Sequence, residues 1–182
     1  EQAARGAHLV HPFENADVIA GQGTAAVELL EDVPDLDLVV VPVGGGGLCA
    51  GTAIAVAAMR PAAQVIGAEP FAVDDAARSL ATGVRQPRVE GAVTWADGLM
   101  TGLGAPNFAI LRDRRVRVVN VTESAMLEAA RFFLERMKTV VEPSSATVLA
   151  VLRAIRGELQ GRRVGAILSG GNTDFRWLAA LP

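Results

Sequence analysis

Apolar and polar positions along this chain change period from one stretch to the next, and the changes predict its elements. Leu38 to Val43 reads Leu-Val-Val-Val-Pro-Val, a β-branched run without charge that suits a strand buried on both faces. Gln64 to Glu69, Arg115 to Val121 and Val164 to Leu168 read as further strands, and Ala7 to Val10 as a short one. Apolar residues recur at helical spacing over Ala25 to Glu31, Leu48 to Met59, Asp74 to Thr82, Glu123 to Lys138 and roughly Ser145 to Arg156. Breakers lie between them. His11 to Asn15 is a loop around Pro12, and Gly21-Gln22-Gly23-Thr24 is expected to interrupt the chain, with Thr24 capping the helix that follows. Pro61 and Pro70 end the elements before them. Thr122 is placed to cap a helix that starts acidic and ends basic, as the helix dipole prefers, and Pro143 stands near the first turn of the next. Gly83 to Ala105 has little period, and so long a loop is more often functional than accidental. Strand and helix alternate, so the predicted class is α/β, a three-layer arrangement with a mainly parallel sheet between helices.

At 182 residues the chain is long enough for one domain with a sizeable core. Its formal net charge of -3 gives no sign of a nucleic-acid surface. Leu38 to Met59 carries no charge, which a hydropathy window would score as a membrane span. Pro42 and the glycines from Gly44 to Gly47 break that run, and the acids Asp35 and Asp37 flank it, so a buried strand followed by a buried helix is the better reading and no membrane is expected. The apolar content of 51% also suggests a surface that a further domain or a partner covers. Cys49, the single cysteine, excludes an internal disulfide and reads as a small core residue in a reducing, cytoplasmic setting.

The chemistry gathers at two turns. Gly44-Gly45-Gly46-Gly47 lies between a strand and a helix, where amides can approach a ligand closely and a helix N-terminus adds free N–H groups and partial positive charge. Such a turn is a phosphate cradle. Ser169-Gly170-Gly171-Asn172 follows the last strand. In an open parallel sheet both turns fall at the carboxyl edge, so one ligand is expected to meet both. A dinucleotide is one candidate: Gly45-x-Gly47-x-x-Ala50 satisfies the loose fingerprint, and Glu69 ends the next strand near where a ribose-binding acid would be. That reading leaves Ser169 to Asn172 without a role.

The turn Pro42-Val43-Gly44-Gly45-Gly46-Gly47-Leu48 resembles the phosphate loop of the serine/threonine dehydratase and serine racemase family, pyridoxal-phosphate enzymes of the tryptophan-synthase-β type. His11-Pro12-Phe13 with Gly21 to Thr24, Gly67-Ala68-Glu69-Pro70, Ala96-Asp97-Gly98, Glu142-Pro143-Ser144 and Leu168 to Asn172 resemble family segments in family order, over essentially the whole chain. The resemblance implies that the amides of Gly44, Gly45, Gly46, Gly47 and Leu48 hold the cofactor phosphate and that Ser169 hydrogen-bonds the pyridine nitrogen. It also implies a Mg²⁺ or Ca²⁺ site from the Glu69 and Asp75 carboxylates and the Val73 carbonyl, although Asp74 and Asp75 equally suit the start of a helix. His8 and His11 form no ligand cluster with cysteine or acid and read as surface or loop residues.

The family forms its Schiff base through a lysine in an N-terminal segment. Lys138, the only lysine here, resembles a solvated charge at a helix end, so no catalytic residue is assigned within this chain. Residue 1 is Glu, which suggests a trimmed start. The expectation is a single cofactor-binding large domain over 1–182, truncated, with the small domain and lysine segment absent. It would be the C-terminal part of a homo-oligomeric dehydratase turning L-threonine or L-serine into a 2-oxo acid and ammonia. Serine racemase activity, or a nucleotide- or phosphate-binding module without chemistry, are the alternatives.

Overall fold

The computed structural model describes residues 5–181. Its sheet has strands β1 (Leu38–Pro42), β2 (Gln64–Pro70), β3 (Arg117–Val121) and β4 (Val164–Ala166), all parallel, in the order β3-β2-β1-β4. Val40 of β1 pairs with Ile66 on one side and Ala166 on the other, so β1 is central and fully buried. Its residues alternate between two cores, as the strand period requires. Leu38 and Val40 face helices α5 (Glu123–Phe132) and α6 (Pro143–Ala154), packing among Leu127, Phe133, Val148 and Trp177. Val39 and Val41 face α1 (Ala16–Asp32), α2 (Gly47–Met59) and α4 (Ala105–Asp113), packing among Leu30, Ala53, Val56 and Leu111. Helix α3 (Asp75–Thr82) joins that second layer through Ala76. The three-layer α/β architecture is therefore as the alternation predicts. Among the described residues no helix is long and apolar enough to cross a membrane.

The structure corrects several local expectations. Ala7 to Val10 forms no strand. Gly21 to Thr24 does not interrupt the chain: α1 is one helix from Ala16 to Asp32, capped by Asn15, whose side chain accepts from the N–H groups of Asp17 and Val18 at 2.8 and 3.1 Å. The Thr24 hydroxyl donates to the Gly21 carbonyl inside that helix instead of capping one. The reason is tertiary. A Cβ on Gly23 would meet the Gly51 carbonyl oxygen at 2.9 Å, and one on Gly51 would meet the Gly23 nitrogen at 2.6 Å. The glycines let α1 and α2 touch backbone to backbone, which offsets the ~1 kcal/mol that a glycine costs in a helix. Helix α4, between the long loop and β3, is an element that the apolar pattern does not predict; Pro106 stands in its first turn. Helix α5 widens into a π-helical turn over Phe133–Met137 and stops at Lys138, which takes a left-handed φ of 56°. Strand β3 starts at Arg117, two residues later than the alternation suggests, because Arg115 has a left-handed φ of 54°.

Candidate cofactor site

The turn after β1 is shaped by what surrounds each glycine. Gly46 caps α2 with a φ of 88°, a conformation that side chains disfavour. A Cβ there would lie 2.6 Å from Leu103 Cδ1; one on Gly44 would lie 2.9 Å from Leu99 Cα; one on Gly45 would enter the Phe13 ring, 2.5 Å from Cδ1. Asn107, fully buried at the start of α4, donates to the carbonyls of Gly45 (2.6 Å) and Phe13 (2.7 Å), and Gly104 N–H donates to the same Gly45 carbonyl at 3.0 Å. The carbonyl side of the turn is thus tied down. The N–H side is not: within the described residues the N–H groups of Gly44 to Leu48 donate to nothing, and the first bond of the helix runs from Ala50 to Gly46. Gly45, Gly46 and Gly47 are buried or nearly so. Buried backbone N–H groups are almost always paired, so a run of unpaired ones at a helix N-terminus is built for an anion. A phosphate fits this set, since all the donors are neutral amides at a helix N-terminus and the turn lines an open cavity.

Ser169 lines the same cavity, about 330 Å³, together with Phe13, Gly44 to Gly47 and Thr101. The two turns therefore share one edge of the sheet, as expected. The start of α6 organises the Ser169 side. Buried Ser145 accepts the Ser169 N–H at 2.8 Å, leaving the Ser169 hydroxyl with no protein partner among the described residues. Glu142 N–H donates to the Gly170 carbonyl (3.2 Å), and its carboxylate accepts the Asn172 N–H (3.0 Å). Side chains at Gly170 and Gly171 would strike the Glu142 carboxylate and the Val140 carbonyl oxygen, at 2.8 and 2.7 Å. Ser144 accepts the Gly98 N–H at 3.0 Å, which anchors the irregular segment to the same helix start. Of these supporting residues Phe13, Gly98, Glu142 and Ser144 stand in stretches the sequence singles out. Asn107 and Ser145 carry no local signal.

Glu69, Val73 and Asp75 are all buried, at 1%, 3% and 2% exposure. Glu69 accepts from the N–H groups of Ala76 (2.8 Å) and Ala77 (3.0 Å) and from Asn120 (3.0 Å); Asp75 accepts from Leu103 N–H at 2.8 Å. Neither forms an ion pair among the described residues, while Asp74 pairs with Arg78 at 2.8 Å. Burial pushes the Glu69 carboxyl up to about 8 against the pull of its hydrogen bonds, with neighbouring Asp75 adding to the rise, and burial raises Asp75 as well. Two desolvated acids without a basic partner suit a cation. Among the described residues no three His, Cys, Asp or Glu side chains gather into a metal-holding group, so any such site leans on the Val73 carbonyl. Cys49 is fully buried in α2, and burial pushes its thiol to about 12. His11 is a loop residue whose Nδ1 accepts the Glu14 N–H at 2.9 Å. Lys138 is exposed at the end of the π-helical turn, its Nζ donating to the Glu135 carbonyl, and does not line the cavity.

Comparison with known proteins identifies the family. A family model described as "Pyridoxal-phosphate dependent enzyme" matches residues 1–170. A serine racemase of Dictyostelium discoideum is 45% identical over 170 residues, covering 92% of this chain and 52% of its own length. An L-threo-3-hydroxyaspartate ammonia-lyase of Pseudomonas sp is 42% identical, covering 97% and 55%. The crystal structure of a threonine deaminase from T.th. superposes with a TM-score of 0.91 at 45% identity, covering 96% of this chain and 65% of that one. The chain spans about half the length of the curated relatives it matches.

Proposed function

The chain belongs to the family of pyridoxal-phosphate dependent enzymes, and from that premise we propose that it is the cofactor-binding part of an ammonia-lyase that converts L-threonine or L-serine to a 2-oxo acid and ammonia. The unpaired N–H groups of Gly45, Gly46 and Gly47 carry the reading, since they are what a bound phosphate monoester needs. When bound, pyridoxal phosphate supplies an electron-withdrawing ring coupled to the substrate's α-carbon. The chain's own groups then have distinct tasks. The amides of Gly44 to Leu48 and the α2 dipole hold the phosphate. The Ser169 hydroxyl, on a turn held by the Ser145 bond to its backbone, would hydrogen-bond the ring nitrogen. A neutral hydroxyl there leaves that nitrogen unprotonated and the ring a weaker electron sink than a carboxylate partner would, which favours loss of the β-hydroxyl over transamination. The phenyl ring of Phe13 packs on Gly45 and its Cβ and backbone on Gly47, so this residue would wall one side of the phosphate position. Lys138 has no part in this site, since its Nζ is turned to its own helix end and it does not line the cavity.

Serine racemisation is the second reading, favoured by a relative of that name at 45% identity. Glu69, Val73 and Asp75 would hold Mg²⁺ or Ca²⁺ beside the sheet, and the working enzyme would be a homo-oligomer acting on a small amino acid. The test is the full-length protein with pyridoxal phosphate, assayed on L-threonine and L-serine for 2-oxo acid and on L-serine for D-serine. Faster 2-oxo acid formation supports the lyase; D-serine as the main product supports the racemase. A chain whose melting temperature rises with NAD(H) and not with pyridoxal phosphate would refute both.

A further inference from the structure

A second cavity, about 550 Å³, opens at the opposite end of the sheet, where the strands begin. Its floor is apolar, from Ala53 and Val56 of α2 and Ile66 of β2. Its rim carries Arg114, Arg115, Arg117 and Arg162, against the single carboxylate of Glu158. The concentration of positive charge runs against a chain whose net charge is -3. It also comes from separate elements. Arg114 and Arg115 close α4, Arg117 opens β3, and Arg162 precedes β4. Cations at a helix end suit its dipole, which accounts for Arg114 and Arg115 but not for Arg117 or Arg162.

Two of the four guanidinium groups are held in place. Arg117 makes a two-pronged pair with Glu158 at 2.7 and 3.1 Å, and Arg162 donates to the Gln64 side chain at 3.0 Å. Arg114 and Arg115 have no carboxylate partner among the described residues. Arg115 also occupies a left-handed backbone position, φ 54°, after the helix end, where glycine or asparagine is usual. A guanidinium offers a planar fork of donors that matches phosphate and carboxylate oxygens, and a partly enclosed apolar floor strengthens that attraction relative to open water.

We propose that the cavity bounded by Arg114, Arg115, Arg117 and Arg162 binds a small multivalent anion bearing phosphate or carboxylate groups, at a site separate from the glycine turn. Glu158 is the competitor that an arriving anion displaces from Arg117.

Isothermal titration of pyrophosphate, and separately of citrate, into the full-length protein already saturated with pyridoxal phosphate tests this; the cofactor keeps the glycine turn filled. The expected result is binding that weakens with added salt, weakens at least about tenfold in the double variant Arg115→Gln/Arg162→Gln, and tightens in Glu158→Gln. Binding of pyrophosphate alone assigns the site to phosphates, and comparable binding of citrate assigns it to multivalent anions generally. The proposal fails if neither anion binds at ~1 mM, or if the folded double variant binds them as the parent does.

Discussion

The N–H of Ser169 donates to the hydroxyl of Ser145 across 2.8 Å, tying the turn after β4 to the first turn of α6. Ser145 is fully buried, and the Ser169 side chain stays a free polar group at the cavity wall. Two substitutions separate orientation from contact. Ser145→Ala removes the acceptor of the Ser169 N–H, a part-buried hydrogen bond whose loss costs about 0.5–1.5 kcal/mol in stability, and loosens the turn. Its cofactor affinity should fall while the spectrum of what binds stays that of the parent. Ser169→Asp should instead change the absorption of the bound cofactor and lower elimination, because a carboxylate favours a protonated ring nitrogen. An unaltered spectrum and rate in Ser169→Asp would show that this hydroxyl does not touch the ring.

Gly45→Ala should abolish phosphate binding, since its methyl group enters the space of the Phe13 ring. Phe13→Ala in the same chain should restore part of it by clearing that space, so the two changes will be non-additive in a double-mutant cycle. Equilibrium dialysis with pyridoxal phosphate measures both. If Gly45→Ala binds as well as the parent, the phosphate is held somewhere other than this turn.

Gly51→Ala has a sign that discriminates. In an ordinary helix this change stabilises by about 1 kcal/mol. Here the new methyl meets the backbone of α1 at Ile19 and Gly23. Overpacking against an unyielding backbone costs about 1–3 kcal/mol, so urea denaturation should show a net loss. The same contact explains what was and was not legible in the sequence. The uncharged run of β1 and the glycine turn announce themselves, because strand period and backbone freedom are local properties. Gly21 to Thr24 looks like a break only because a close helix crossing and a loop use the same residue type; which one applies depends on Gly51, far along the chain. Ser145 and Asn107 are invisible for the same reason: each matters through a partner, Ser169 N–H or the Gly45 carbonyl, that only the fold brings near.

Asp75→Ala tests the cation reading. With Glu69 and Asp75 buried and unpaired, a bound Mg²⁺ or Ca²⁺ would relieve two desolvated acids at once, so chelator should lower the melting temperature of the parent. The variant should melt at the same temperature with and without chelator. Equal chelator sensitivity in both proteins would place any ion elsewhere.

Cys49 yields a pH prediction. Burial is the main cause of its raised thiol, from 9.0 to about 12, and the Glu69 charge adds to it. A thiolate is the reactive form, so iodoacetamide should leave the native chain unlabelled at about pH 10 and label it promptly in urea. The linkage has a definite sign. Below pH 9.0 the thiol holds its proton both folded and unfolded and contributes no pH dependence; between 9.0 and about 12 the unfolded chain releases the proton while the folded one retains it. Deprotonation then favours the unfolded state, and stability falls with rising pH by at most ~1.4 kcal/mol per pH unit from this group. Cys49→Ala removes the effect while keeping a small apolar residue in α2. Comparing the two proteins by urea denaturation from about pH 8 to about pH 10.5 should show the parent losing stability more steeply than the variant. Parallel curves would mean that the thiol is reached by water in the folded state.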